Sequence, residues 1–172
     1  MNPSITLLVS AILGTEPTVT VESRKVCFEE LPAACADESE SDKHAKVMNF
    51  DLDGDGQDEM LVAAGSGGDH WSVMAHTAEG WRCAGRVSGE LSFVSRPDCR
   101  GLLACLPLGG NEARWDFYEL RKGVLHNPVS ASVQYARSGN GVHRARPLKI
   151  EVKTGWHAIC CSFRQKHNRR NL

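Results

Sequence analysis

The residues with the clearest chemical potential form one short acidic segment. Residues 51–59 read Asp-Leu-Asp-Gly-Asp-Gly-Gln-Asp-Glu, so five carboxylates and two glycines occupy nine positions. Calcium binds six to eight oxygen ligands at about 2.3–2.6 Å, and acids at alternating positions let one tight turn wrap such a hard cation. Asp51, Asp53 and Asp55 stand at the first, third and fifth positions. The spacing therefore predicts a Ca²⁺ site.

The rest of the segment supplies the remaining parts of such a site. Gly56 at the sixth position permits a sharp bend, and the main-chain carbonyl of Gln57 at the seventh would add a neutral oxygen. Glu59 at the ninth position would close the ligand shell directly or through water, with Asp58 as the alternative. Magnesium is disfavoured because its smaller octahedral shell suits a crowded oxygen cage poorly.

An EF-hand is excluded by both ligand and context. That motif requires a bidentate glutamate at the twelfth position and helices on both sides of the loop. The twelfth position here is Val62, and the apolar run from Met60 to Ala64 is typical of a strand.

An acidic loop that ends at its ninth position and runs directly into a strand resembles the calcium loops of FG-GAP and VCBS repeats. Such loops occur in the propellers of integrin α-subunits and in small bacterial secreted β proteins. The match extends over residues 50–62. The resemblance implies the same calcium ligands: Asp51, Asp53, Asp55, Gln57 and Glu59.

The loop occurs once, whereas a propeller needs about four to eight blades of four strands. The ligand-binding role of integrin propellers is therefore not expected here, and bound calcium would be structural, fixing the entry into the strand at Met60. The alternative is a solvated acidic turn that binds nothing, since Asp-Gly pairs favour turns in any case.

Other patterns with catalytic potential are less complete. Residues 64–68, Ala-Gly-Ser-Gly-Gly, resemble a nucleophile elbow, and Asp69, His70, His76 and Asp98 would be its candidate partners. An elbow leads into a helix, however, and this segment leads into a period-two run. The seven histidines lack His-Glu-x-x-His spacing, which leaves only His70 and His76 as candidates for a second metal or for acid–base chemistry.

Seven cysteines are many for 172 residues, and none forms a C-x-x-C pair. Disulfides in an oxidising compartment are the favoured interpretation, with Cys27–Cys35 and Cys99–Cys105 as short-range candidates, and buried thiols are the alternative. The other three are Cys83, Cys160 and Cys161. Residues 1–14 contain a short apolar stretch, which is either the core of an export signal or a first helix or strand.

Short alternating segments dominate the chain after the polar, charged residues 37–46. Strands are predicted at residues 60–64, 71–77, 81–87, 115–120, 124–126, 129–135 and 148–152. Residues 78–80 and 121–123 have the length and glycine content of hairpin loops. No amphipathic helix is predicted after residue 47. The fold class is therefore mainly β, a small antiparallel β domain of short hairpins with one calcium loop.

Charge is balanced overall at −1 but is distributed unevenly. Residues 1–70 carry 14 acidic and 4 basic side chains, whereas residues 137–172 carry 1 and 9. No apolar run reaches the roughly 18 residues that a membrane-spanning helix needs. The basic tail lacks interleaved aromatic residues, so a nucleic-acid partner is not expected.

The predicted organisation has four parts: an export signal or a first helix or strand at 1–14, an N-terminal segment and acidic loop at 15–46, the β domain at 47–163 and the basic tail at 164–172. The expected function is that of a non-enzymatic calcium-binding module, secreted or in the cell envelope, that binds a protein or an envelope polymer. Two alternatives are open. One is an inhibitor or immunity-type protein with contact loops at 65–70 or 109–114, and the other is a hydrolase whose site is ordered by calcium.

Overall fold

The computed structural model describes residues 3–15, 18–38, 44–63, 70–97, 99–136 and 147–158. Two antiparallel sheets, each of five consecutive strands, account for most of these residues. The mainly β, antiparallel fold class predicted from the sequence is confirmed. Within the described residues, no helix has the length and apolar character needed to cross a membrane.

The first half of the chain forms sheet 1, in which every strand pairs with its neighbour in sequence. Its strands are β1 (Arg24–Cys27), β2 (His44–Phe50), β3 (Glu59–Ala63), β4 (His70–Thr77) and β5 (Gly80–Ser88). β structure therefore begins at Arg24, before the predicted domain boundary at residue 47. The reason is that Val26, Ala45 and Val47 are buried against a second apolar layer, which the local sequence does not reveal.

The second half forms sheet 2 with the same meander order. Its strands are β6 (Glu90–Ser95), β7 (Arg100–Gly109), β8 (Glu112–Arg121), β9 (Val124–Tyr135) and β10 (Pro147–Ala158). The predicted hairpins are confirmed: residues 78–79 form the turn between β4 and β5, and residues 122–123 form the turn between β8 and β9. Lys122 and Gly123 both have positive φ, at 52° and 70°, as a type I′ hairpin turn requires.

Residues 124–126 and 129–135, predicted as separate strands, belong to the single strand β9. The pairing of β8 with β9 shifts between Phe117 and Glu119, so that Asn127 and Pro128 together face Tyr118. Proline lacks an N–H group and fits such a bulge without losing a ladder hydrogen bond. The strand therefore continues through Pro128.

The main core lies between the two sheets, where the inner faces of both contribute buried apolar side chains. From sheet 1 come Met48, Leu61, Ala63, Trp71, Val73, Ala75, Ala84 and Val87, and from sheet 2 come Phe93, Leu102, Ala104, Tyr118, Leu120 and Leu125. The molecule is thus a β-sandwich.

The helix α1 (Pro3–Ile12) covers the outer face of sheet 2. Leu7, Leu8 and Ile12 are buried there with Leu103 and Phe117. The sequence leaves residues 1–14 as either an export signal or a first helix or strand. The structure shows a helix there. Cleavage of an export signal stays a prediction. The outer face of sheet 1 carries a smaller apolar cluster, which includes Cys35 from the short 3₁₀ helix Ala33–Glu38.

A single residue, Gly89, joins the two sheets between Ser88 and Glu90. Its φ is +110°, and a Cβ atom there would overlap the carbonyl oxygen of Cys105 on β7. Glycine is therefore required at this position by both backbone conformation and space.

Candidate functional site

The acidic segment forms the connection of the β2–β3 hairpin. β2 ends at Phe50, β3 begins at Glu59, and these two residues face each other across the ladder. Residues 51–58 therefore leave and re-enter the sheet at one point. Because both ends are held by strand pairing, the loop is anchored where its first and last acids lie.

Two glycines with left-handed backbone conformation fold the loop tightly. Gly54 has φ of +85° and Gly56 has φ of +87°. Residues with side chains rarely adopt such angles, so the alternation of glycine with aspartate is a conformational requirement of this loop.

The aspartate carboxylates accept hydrogen bonds from the loop's own amides. Asp51 accepts from the N–H of Gly54 at 2.6 Å and from that of Gly56 at 3.3 Å. The N–H of Asp55 donates to Asp53 at 3.2 Å, and the N–H of Gln57 donates to Asp55 at 2.7 Å. These bonds turn the side chains inward and satisfy main-chain donors that the turn would otherwise leave to water.

Three of the predicted ligands converge. One carboxylate oxygen from each of Asp51, Asp53 and Glu59 lies within 4.8 Å of the other two. Oxygens that bind one calcium ion at about 2.3–2.6 Å are necessarily within about 5 Å of each other, so this spacing fits a shared ion. The donor set consists of carboxylate oxygens, which suits a hard cation rather than zinc or copper.

The other predicted ligands lie outside this convergent group. Asp55, Gln57 and Asp58 are exposed, and the Asp55 carboxylate is directed to the amide of Gln57. Coordination by Asp55 and by the main-chain carbonyl of Gln57 stays a prediction. Glu59, chosen from the sequence over Asp58, is the acid that joins Asp51 and Asp53.

Glu59 is the buried member of the group, with only 4% of its surface exposed. Burial raises the pKa of its carboxyl group from 4.5 to about 7, and the charges of Asp53, Asp55 and Asp51 act in the same direction. The N–H of Leu52, which donates to Glu59 Oε2 at 2.7 Å, opposes this rise. A cation between the carboxylates would favour the ionised form of Glu59.

Arg100, at the start of β7, is a component of the site that the sequence did not predict. Its Nη1 lies 2.5 Å from Asp51 Oδ2 and donates to the Asp51 main-chain oxygen at 3.3 Å. The guanidinium group also packs over Gly54. Arg100 is 49 residues from Asp51 in the chain, so no local pattern indicates the contact.

A cleft of about 560 Å³ opens beside the loop. The loop contributes Asp53 and Gly54, sheet 2 contributes Arg100 and Arg121, and the beginning of α1 contributes Ser4. The Ser4 hydroxyl donates to Glu119 Oε1 at 2.9 Å, and Arg121 pairs with Glu119 Oε2 at 2.6 Å. The cleft is thus lined by charges of both signs.

The histidine candidates do not form one centre. His70 and His76 lie six residues apart on the extended strand β4, about 20 Å along its axis. His70 Nδ1 lies 2.7 Å from the Ser88 hydroxyl oxygen, whereas the ring of His76 packs edge-on against Trp81. Asp69, Asp98 and the 64–68 segment lie outside the described residues.

Neither short-range disulfide forms. Cys27, Cys35, Cys99 and Cys105 are thiols in the structure. Cys99 and Cys105 stand at opposite ends of an extended stretch that enters and follows β7, which puts them about 20 Å apart, far beyond disulfide reach. Burial raises the pKa of Cys105 to about 12, with a further contribution from Glu90. Cys160 and Cys161 lie outside the described residues.

Comparison of the chain with protein-family models, with curated proteins and with solved structures finds no match. The resemblance to FG-GAP and VCBS loops therefore stays a prediction from residues 50–62.

Proposed function

We propose that this protein is a non-enzymatic calcium-binding β module in which Ca²⁺ has a structural role at the β2–β3 connection. The observation that carries the proposal is the convergence of carboxylate oxygens from Asp51, Asp53 and Glu59 within 4.8 Å. In its wider role, such a module would be exported and would bind a protein or an envelope polymer.

Electrostatics support a cation at this position. Five carboxylates lie within nine residues at this connection, those of Asp51, Asp53, Asp55, Asp58 and Glu59, and Arg100 supplies one compensating charge to Asp51. Like charges at such short range repel each other, most strongly where Glu59 is removed from water. A divalent cation bound there supplies the missing positive charge.

A structural role follows from where the acids stand. Asp51 directly follows β2, and Glu59 is the first residue of β3 and pairs with Phe50. Phe50 in turn lies 4.6 Å from Phe93, measured between ring centroids, and so contacts the main core. Linking the two strand ends through one ion would therefore stabilise the hairpin where it enters the sandwich.

The decisive experiment compares thermal melts in calcium and in EDTA. A ligand that binds only the folded state raises its stability by RT ln(1 + [L]/Kd), so the melting temperature of the native chain should rise with calcium concentration. Asp53→Ala removes an exposed member of the convergent group and should abolish the rise. Glu79→Ala, an exposed acid at the β4–β5 turn, is the matched control and should keep it.

Arg100→Gln provides an independent test of the same site. Loss of the guanidinium leaves Asp51 without its compensating charge, so the calcium-dependent rise should be larger than in the native chain, while stability in EDTA should fall by about 1 kcal/mol. No rise in the native chain up to about 10 mM calcium, above the weak extracellular range, would contradict the proposal.

A further inference from the structure

The outer edge of sheet 2 combines exposed backbone with exposed apolar side chains. β10 is the terminal strand of the sheet, and β9 is its only strand partner among the residues that the structure describes. Leu148 is 69% exposed and Val152 is 37% exposed. The opposite edge differs, because Val19 exchanges two main-chain hydrogen bonds with Phe93 of β6.

The two faces of β10 differ in chemistry. Lys149, Glu151 and Lys153 pair with Gln134, Ser132 and Ser130 of β9, on the solvent-exposed face. Ile150 and Val152 pair with Val133 and Ala131, on the face that α1 covers further inward. The edge therefore presents one apolar row and one row of alternating charge.

We propose that β10 is a self-association edge, on which the β10 strand of a second copy of this chain adds in antiparallel orientation about a twofold axis at Ile150. In this register Lys149 lies opposite the partner's Glu151, and Glu151 lies opposite the partner's Lys149. Leu148 lies opposite the partner's Val152, and the two copies of Ile150 face each other. Sheet 2 thereby continues from one copy into the other as one ten-stranded sheet.

Charge complementarity selects this register. A twofold axis at Glu151 would put glutamate opposite glutamate and Lys149 opposite the partner's Lys153, which is unfavourable in directly opposed pairs. An axis at Val152 would pair Glu151 with the partner's Lys153 but would put Ile150 opposite a threonine. Only the axis at Ile150 pairs opposite charges and also pairs the exposed apolar side chains with each other.

The same charges explain selectivity for a second copy. Lysines on an edge strand normally prevent unspecific strand addition, because an added strand would bury them without a partner. Lys149 and Glu151 of one chain already lie 2.5 Å apart on the exposed face, where such a pair contributes little to stability. An identical strand supplies the opposite charge to both of them.

The test is a charge-reversal series on the full chain, with the dimer dissociation constant measured by sedimentation equilibrium. Lys149→Glu and Glu151→Lys should each raise that constant by about tenfold or more, because symmetry turns both attractive pairs into repulsive ones. The double variant should recover the native constant. Lys153→Glu, on the same strand and with the same change of charge as Lys149→Glu, should leave it nearly unchanged.

Hydrogen exchange of the β10 amides supplies a second readout, with unchanged circular dichroism spectra as the check on folding. Protection that increases with protein concentration in the native chain supports self-association. A monomer at every concentration, or protection that does not depend on concentration, overturns the proposal. If the double variant does not recover the native dissociation constant, and Lys153→Glu raises that constant strongly, the proposed register is wrong.

Discussion

Glu59 is the acid of the loop that lies in the protein interior, where its carboxyl group is buried beside Asp51 and Asp53. The pKa of Glu59 is raised from 4.5 in the unfolded chain to about 7 in the folded protein. Between these values the folded state binds a proton that the unfolded state has lost. The contribution of Glu59 to the free energy of unfolding is therefore fully present below about pH 4.5 and is lost as the pH rises through about 7.

Glu59→Gln should remove this pH dependence in calcium-free buffer. Glutamine keeps an oxygen that can accept the hydrogen bond from the N–H of Leu52, but it carries no charge. As the pH rises from 4.5 to 8, the free energy of unfolding of the variant should increase relative to that of the native chain by about 1–3 kcal/mol. Urea unfolding at a series of pH values measures the difference, and a difference that stays constant with pH would show that the carboxyl is not perturbed.

The three acids that converge, Asp51, Asp53 and Glu59, could be picked from the sequence because the loop is local. Alternating aspartates and glycines indicate both the turn and the oxygen ligands, and Glu59 joins Asp51 and Asp53 as the spacing suggests. Arg100 was missed because it reaches Asp51 only when β7 packs beside the loop. A long-range ion pair of this kind has no signature in a single sequence.

At the scale of elements, period-two alternation and turn residues identify strands that have one apolar face. β7 was not predicted in this way, because both of its faces are buried. Leu102 and Ala104 point into the main core, whereas Leu103 and Cys105 point into the cluster beneath α1. The resulting run Leu-Leu-Ala-Cys-Leu has no alternation, so its strand character is hidden until both packing layers are known.

The junction at Gly89 should tolerate substitution far less than other glycines with positive φ. Gly89→Ala combines backbone strain with overlap between the new Cβ and the Cys105 carbonyl, and it should cost about 3 kcal/mol or more. Gly109, at the end of β7, has φ of +96°, but a Cβ atom there would meet no other atom within 4 Å, so Gly109→Ala should cost about 1 kcal/mol. If chemical denaturation gives the same loss of unfolding free energy for both variants, then overlap with the Cys105 carbonyl adds nothing to the cost at Gly89.

At the scale of the whole molecule, α1 is predicted to contribute to global stability. Leu8 is fully buried, whereas Leu13, just beyond the helix, is 54% exposed. Leu8→Ala should therefore lower the free energy of unfolding by about 2–5 kcal/mol, and Leu13→Ala should change it by less than about 0.5 kcal/mol. Measured on the intact chain, a Leu8 variant as stable as the native protein would mean that the helix is not docked in solution.

The arrangement of the sheets could not be predicted to the same extent as the strands. Hairpin pairing follows from neighbouring segments, and both meanders consist of such pairs. The division into two stacked sheets depends instead on contacts such as that of Phe50 with Phe93, between residues from different halves of the chain. The export signal stays a prediction, and the basic tail at residues 164–172 lies outside the described residues.

The meander order also has a consequence for biosynthesis. Sheet 1 is complete once residue 88 has been made, and each of its strands finds its neighbour already present. The helix α1 is made before any strand, yet the surface that buries Leu7 and Leu8 consists of residues of sheet 2, among them Phe117, Val129 and Val133. During synthesis the apolar side chains of α1 therefore stay exposed until β8 and β9, which bury them, have left the ribosome.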